Sequence, residues 1–264
     1  MVASVENLYK ELKAEWVKKP VNLKKCGQIL DQLKIALTTK SCFLPTGCVS
    51  TDKAELILAR DILEVGVEYS VHTKDIPAFE RYMCQLKCYY YDFRLDIKES
   101  VNMYKLLGLN LLFLLSVNRV AEFHTELELL PANIIQSNQF IRPVLALEQY
   151  IMEGRYNKIF QAKNSAPSEI YNYFMEILTD TVRDEIGACL EKSYEMISVQ
   201  EVGKRLNLKT ADEVRKFGVK RNWNIGQDGV YHFVTATVKP KEPLPSVELA
   251  EQAIFYAREL EMIV

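Results

Sequence analysis

The chain has 264 residues, 48% of them apolar and 26% charged, with a formal net charge of −2. That is ordinary for a soluble globular protein long enough to bury a real core in one large or two moderate domains. It excludes the strongly basic balance of a dedicated nucleic-acid binder, so any positive surface must be local.

The opening stretch, MVASVENLYKELKAEW, is charged from Glu6 onward and lacks an apolar core, so it does not read as a signal peptide. Leu8, Leu12 and Trp16 recur every four residues within it and predict one face of a helix. NLKKCGQILDQLKIAL repeats the pattern with Leu23, Cys26, Leu30, Leu33 and Leu37. Pro45, Gly47, Pro77 and Pro131 then fall between helical segments, as chain breakers should.

Three segments share a helix–turn–helix layout: ILEVGVEYSVHTKDIPAFERYMCQLKCYYY, LLGLNLLFLLSVNRVAEFHTELELL and LALEQYIMEGRYNKIFQAK. Phe79, Phe123 and Phe160 take comparable places just after each turn, 44 and 37 residues apart, near the period of helical-hairpin repeats. A single hairpin cannot bury its own apolar face, so residues 1–195 are expected to stack as a short, curved, right-handed helical array. The greasiest run, LLGLNLLFLL at 106–115, is about half the length of a bilayer span and contains Asn110, so no membrane is expected.

The pattern changes after Ser198. SVQEVGKRLNL reads as a short helix with Val199, Val202 and Leu206 inward. KTADEVRKFGVKRNW reads as a second, with Thr210 as N-cap and Glu213 completing a capping box. NWNIGQDGVYHFVTATV then alternates around a turn from Gly226 to Gly229, which predicts a hairpin. With the preceding helix at 181–195, residues 196–238 make a winged helix. The hairpin, at Val230, Tyr231, His232 and Phe233, is expected to offer a sheet edge to a strand of another subunit.

KPKEPLP at 239–245 is an extended linker. The last segment, 246–264, reads as a helix with Ser246 as N-cap. Ala250, Ala253, Ala257, Leu260 and Val264 step along a heptad seam that Val247 and Ile254 widen. Leu249, Phe255, Met262 and Ile263 lie off that seam, so the helix is apolar on more than one side and calls for partners.

Other chemistry is weakly supported. Lys204, Arg205, Lys209, Arg215, Lys216, Lys220 and Arg221 stand against Asp212 and Glu213, a balance suited to phosphate contacts, yet no basic arm or base-reading amide set reinforces it. Protein contact is the better reading, and a winged-helix nucleic-acid binder is the rival one. Cys84 and Cys88 share a helix face, but a structural zinc site needs four ligands and none is near in sequence. The six cysteines are scattered as in a reducing compartment. His72, His124 and His232 are isolated, and no phosphate-binding glycine loop occurs, so neither catalysis, metal nor cofactor is expected. Of the run CYYYD at 88–92, at least one tyrosine is expected in the core.

Helical repeats followed by a winged helix and a trailing helix resemble the PCI-domain family, the scaffold class of the proteasome lid, the signalosome and a translation initiation factor complex. Within it, LARDILEVGVEYSVHTKDIPAFERYMCQLKCYYYD, LLGLNLLFLLSVNRVAEFHTELELLP, EQYIMEGRYNKIFQAK, TVRDEIGACLEKSY and ELAEQAIFYARELEMIV resemble the proteasome-lid branch. The resemblance implies a mostly α fold and a non-catalytic, cytoplasmic and nuclear subunit of the regulatory-particle lid. Its partners would be other PCI and lid subunits, met through an arc of winged helices and a bundle of C-terminal helices. A PCI scaffold of another complex is the alternative.

Overall fold

The computed structural model of the chain describes residues 2–18, 22–38, 53–94, 97–163, 167–226, 229–233 and 245–263. Among them are thirteen helices and one three-stranded sheet, so the fold is mostly α. The chain divides into two units, Met1–Glu185 and Ile186–Val264. Cys42, Pro45, Gly47, Cys48, the wing-tip residues 227–228, Thr235, linker residues 239–244 and Val264 lie outside the described residues.

The first unit is helical throughout: α1 (Val2–Val17), α2 (Leu23–Thr38), α3 (Lys53–His72), α4 (Ile76–Tyr91), α5 (Met103–Ser116), α6 (Val120–Glu128), α7 (Ala132–Ser137), α8 (Ile141–Met152), α9 (Tyr156–Ala162) and most of α10 (Tyr171–Ser193). The stripes expected on α1 and α2 point inward. Leu12, Cys26, Leu30, Leu33 and Leu37 are buried, and Trp16 donates its indole N–H to Glu68 at 3.2 Å.

Hairpins α3–α4, α5–α6 and α8–α9 are closed by one recurring turn. Lys74, Asn118 and Gly154 each adopt a left-handed φ, of 60°, 64° and 68°. The next N–H, of Asp75, Arg119 and Arg155, donates to the carbonyl five residues back, of Ser70, Leu114 and Tyr150, at 2.8–3.0 Å. This is a Schellman closure, and it supplies donors to carbonyls that a helix end leaves unpaired. Four residues past each N-cap lie Phe79, Phe123 and Ile159, all buried. Ile159 therefore holds the third equivalent place, and the expected Phe160 is its buried neighbour. Turn registry, rather than residue type, sets the repeat.

The core of this unit lies where α4, α5 and α10 meet. The rings of Phe79, Phe113 and Phe174 pack pairwise at 5.0–5.4 Å. Every residue from Leu106 to Ser116 is buried, so the greasy run belongs to a central helix. Gly108 lets other chain segments approach that helix closely, because a Cβ there would stand 3.0 Å from the Phe140 carbonyl oxygen and 2.6 Å from Tyr171 Oη. Tyr171 donates to the Lys105 carbonyl at 2.7 Å.

A buried polar knot ties α1, α3 and α4 to the segment before α5. Tyr90 donates to Glu64 at 2.9 Å, and Arg60 donates to Asp61 at 2.9 Å and to the Lys98 carbonyl at 2.7 Å. Tyr9 reaches Asp61 at 3.4 Å, and burial followed by that carboxylate pushes its phenol up to about 12. Burial and Glu64 hold the Tyr90 phenol well above its ordinary value. Pairing of this kind is what keeps buried charge tolerable.

The second unit begins with the last turns of α10. It continues through β1 (Met196–Ser198), α11 (Val199–Leu206), α12 (Ala211–Lys220), β2 (Asn224–Ile225), β3 (Val230–His232) and α13 (Ser246–Glu261). The antiparallel sheet has the order β1-β3-β2, with Ile197 opposite Tyr231 and Tyr231 opposite Ile225. Up to β3 this is a winged helix. Ser198 caps α11 by accepting from the Glu201 N–H at 3.3 Å. Thr210 stands at the N-cap of α12, but its side chain makes no capping bond, so the expected capping box does not form there. Ser246 lies inside α13, whose N-cap position is Pro245.

Candidate protein-interaction surfaces

α13 spans sixteen residues and none of them is buried. Val247, Leu249, Ile254, Phe255, Tyr256, Leu260, Met262 and Ile263 are all more than half exposed, Ile254 by 69% and Ile263 by 81%. At about 100° per residue, Ala250, Ala253 and Ala257 form a narrow central stripe. Val247 and Ile254 flank it on one side, and Leu249, Tyr256, Leu260 and Ile263 on the other, giving an apolar arc of about 200°. The helix thus brings Val247, Ala250, Ala253, Ile254, Ala257 and Leu260 onto one face. Tyr256, which heptad reasoning passed over, widens that face. Phe255 and Met262 sit on the opposite side among Glu248, Glu251 and Glu259.

The wing is arranged differently from expectation. β3 is the central strand, paired on one side with β1 and on the other with β2, so Val230, Tyr231 and His232 have no free backbone edge. The N–H of Phe233 is also engaged, donating to the Glu195 carbonyl at 2.9 Å. The outer strands of the sheet are β1 and β2, where Met196 and Ile225 are exposed. The reason lies in β1, a three-residue strand too short to show alternation. The Ser198-x-x-Glu201 signature that starts α11 was the one local sign that the chain straightens just before it.

Tyr231 and Phe233 pack inward instead. Trp223 stands edge-on to Phe217, Tyr231 and Phe233 at 5.2–5.4 Å, and Tyr231 donates to the Val214 carbonyl at 3.3 Å. Of the four wing residues, His232 alone is exposed, while Val230 and Phe233 are half-buried.

The basic residues divide into two sets. Arg221 is structural: its Nε donates to Glu191 at 2.7 Å, and the Trp223 indole N–H donates to the same carboxylate oxygen at 2.7 Å. The Arg221 bond, more than any other contact, holds the Glu191 carboxyl below its usual range, with Trp223 helping and burial opposing. Lys204, Arg205, Lys209, Arg215 and Lys216 are exposed, as are Asp212 and Glu213 in the first turn of α12.

Elsewhere the candidate chemistry resolves into packing. The Cys88 thiol donates to the Cys84 carbonyl at 3.6 Å, and burial pushes it up. Tyr89 and Tyr90 are buried. His72 stacks edge-on to Trp16 at 5.6 Å, and His124 faces Glu148 at 3.6 Å. Among the described residues no His, Cys, Asp and Glu cluster fits a metal ion, and no helix is long and apolar enough to cross a membrane.

Stacked helical hairpins, a winged helix and a fully exposed apolar terminal helix define a PCI-type scaffold protein. The chain belongs to the CSN8/PSMD8/EIF3K family, whose model matches residues 101–242. Three of its relatives carry the names of proteasome subunits. It is 39% identical to 26S proteasome non-ATPase regulatory subunit 8 homolog A of Arabidopsis thaliana, over 100% of this chain and 98% of the relative. It is 32% identical to 26S proteasome non-ATPase regulatory subunit 8 of Caenorhabditis elegans, over 97% and 98%. With 26S proteasome regulatory subunit RPN12 of Saccharomyces cerevisiae it shares 31% identity, over 90% and 92%.

Proposed function

We propose that the chain is a non-catalytic subunit of the lid of the proteasome regulatory particle, serving ATP- and ubiquitin-dependent protein degradation in cytoplasm and nucleus. Near-full-length identity to proteasome regulatory subunits in a plant, a nematode and a yeast supports this reading. The observation that carries its mechanism is α13, a sixteen-residue helix whose six large apolar side chains are all exposed, as are Met262 and Ile263 just after it. An exposed apolar surface of this extent marks a protein-interaction site.

Assembly is then the activity. The alanine stripe lets a neighbouring helix approach closely, and the flanking ridges widen the arc beyond what one helix covers, which suits insertion between helices of other lid subunits. Each large side chain covered contributes about 1.5–3 kcal/mol gross, offset by the cost of association and of ordering the segment. The winged helix packs beside those of neighbouring PCI subunits, with β1 and β2, rather than β3, at the sides of its sheet.

The test is Ile254→Asp, introduced into the tagged chain in its native cell. Placing a carboxylate where an exposed isoleucine is to be buried should cost about 2–4 kcal/mol of assembly, a thirtyfold or greater loss of co-purified regulatory-particle subunits. The melting temperature of the isolated chain should be unchanged. Undiminished co-purification, or recovery of signalosome or initiation-factor subunits in place of proteasomal ones, would refute the reading.

A further inference from the structure

The winged helix carries a second surface, separate from α13. A groove of about 400 Å³ opens between α11 and the start of α12. Val199, Gly203, Leu208 and Val214 form its apolar lining beside the polar Gln200, Asn207 and Thr210, and Lys209 and Lys204, the latter within 3.6 Å of the neighbouring Glu201 carboxylate, supply its positive charge. Local geometry makes it. Asn207 takes a left-handed φ of 52° and the Leu208 N–H donates to the Gly203 carbonyl at 3.0 Å, so the chain doubles back and starts α12 beside α11. Gly203 lets the two helices approach closely, since a Cβ there would stand 3.4 Å from the Val214 side chain.

We propose that this groove binds a short acidic segment of a partner protein that carries one bulky apolar side chain. The apolar side chain packs on the apolar lining, and flanking carboxylates meet Lys204 and Lys209, which are both exposed at the rim. The volume is that of a small-ligand cleft, with apolar and polar groups in similar number along its walls. Arg205, Arg215 and Lys216 are exposed on the same two helices and extend the positive field that would steer such a segment inward.

Asp212 and Glu213, exposed in the first turn of α12, oppose any anion at that end of the groove, so the carboxylates of the segment are met at Lys204 and Lys209 rather than along α12. Nucleic acid fits less well, since an apolar lining offers phosphate nothing. The chain's own α13, with Phe255 among Glu248, Glu251 and Glu259, has the chemistry of the proposed occupant and is a competitor to be tested.

The probe is a fluorescein-labelled peptide of alternating Glu and Ser with one central Phe, titrated into the full chain by fluorescence anisotropy. This reads the groove without the lid, so its failure and that of the assembly reading are distinguishable. Saturable binding is expected, weakening with salt and falling at least about tenfold in the Lys204→Glu, Lys209→Glu double variant. Replacing the peptide's Phe by Ala should cost as much. Ala211→Trp, which fills the groove from its lining, should abolish binding without lowering the melting temperature. Binding indifferent to these changes would overturn the proposal. So would a duplex DNA of matched charge that binds more tightly and displaces the peptide. Binding gained only when the chain is cut after Pro245 would name α13 as the occupant and overturn it equally.

Discussion

Glu191→Ala should unlock the winged helix. In the native chain one carboxylate oxygen accepts from both Arg221 Nε and Trp223 Nε1, each at 2.7 Å, and so ties α10 to the end of α12 and the start of the wing. The Arg221 and Glu191 side chains are 21% and 34% exposed, so solvent screening reduces that ion pair to about 1 kcal/mol. Trp223 is buried, and leaving its N–H unpaired costs about 1–2 kcal/mol more. The loss should therefore be about 2–3 kcal/mol. Glu191→Gln keeps an acceptor for the indole and should cost about 1 kcal/mol. The assay is urea denaturation followed by Trp223 emission in a Trp16→Phe background, since the chain has only these two tryptophans. Because the folded-state pKa of Glu191 is depressed, its contribution is complete above the unfolded carboxylate pKa and is lost as pH falls through the folded one. The gap between native chain and Glu191→Gln should close on that acid side. A native-like transition for Glu191→Ala, or a gap independent of pH, would refute the reasoning.

Two further perturbations test the first unit. Gly108→Ala should destabilise by about 1–2 kcal/mol in a thermal melt, although helix propensity alone favours alanine by about 1 kcal/mol, because the new Cβ meets the fixed Phe140 carbonyl. The hairpin turns make an opposed pair. Lys74→Gly should raise stability by about 0.5–1 kcal/mol by relieving a left-handed lysine, with part of the gain lost along with the Lys74–Tyr173 cation–π contact at 5.8 Å. Gly154→Ala should lower it by about 1 kcal/mol from backbone strain alone, since no atom lies within 4 Å of the added Cβ. Equal melting temperatures for both variants would deny the shared turn geometry.

Much of the fold is legible in the chain because it is periodic. The stripes through Leu12 and Leu37 and the greasy α5 follow from 3.6-residue spacing, which needs no knowledge of distant contacts. Turns at Asn118 and Gly154 are legible in composition, whereas Lys74 takes the same left-handed place with no turn residue to announce it. What escaped depends on long-range pairing. Met196–Ser198 becomes a strand only because Val230–His232 arrives beside it, and that one pairing turns the expected sheet edge into the centre of the sheet. The Glu191–Arg221–Trp223 lock likewise joins residues 30 and 32 positions apart. The apolar face of α13 was visible early because an exposed helix is governed by its own sequence alone.

The most direct test of the account compares the tagged full chain with one ending at Pro245, each purified from its native cell and read by mass spectrometry. Since no residue of α13 is buried in the isolated chain, the truncated form should melt at the same temperature. The account predicts that proteasome regulatory-particle subunits accompany the full chain and are lost with the helix. Their retention by the truncated form, or a collapsed thermal transition on truncation, would contradict it.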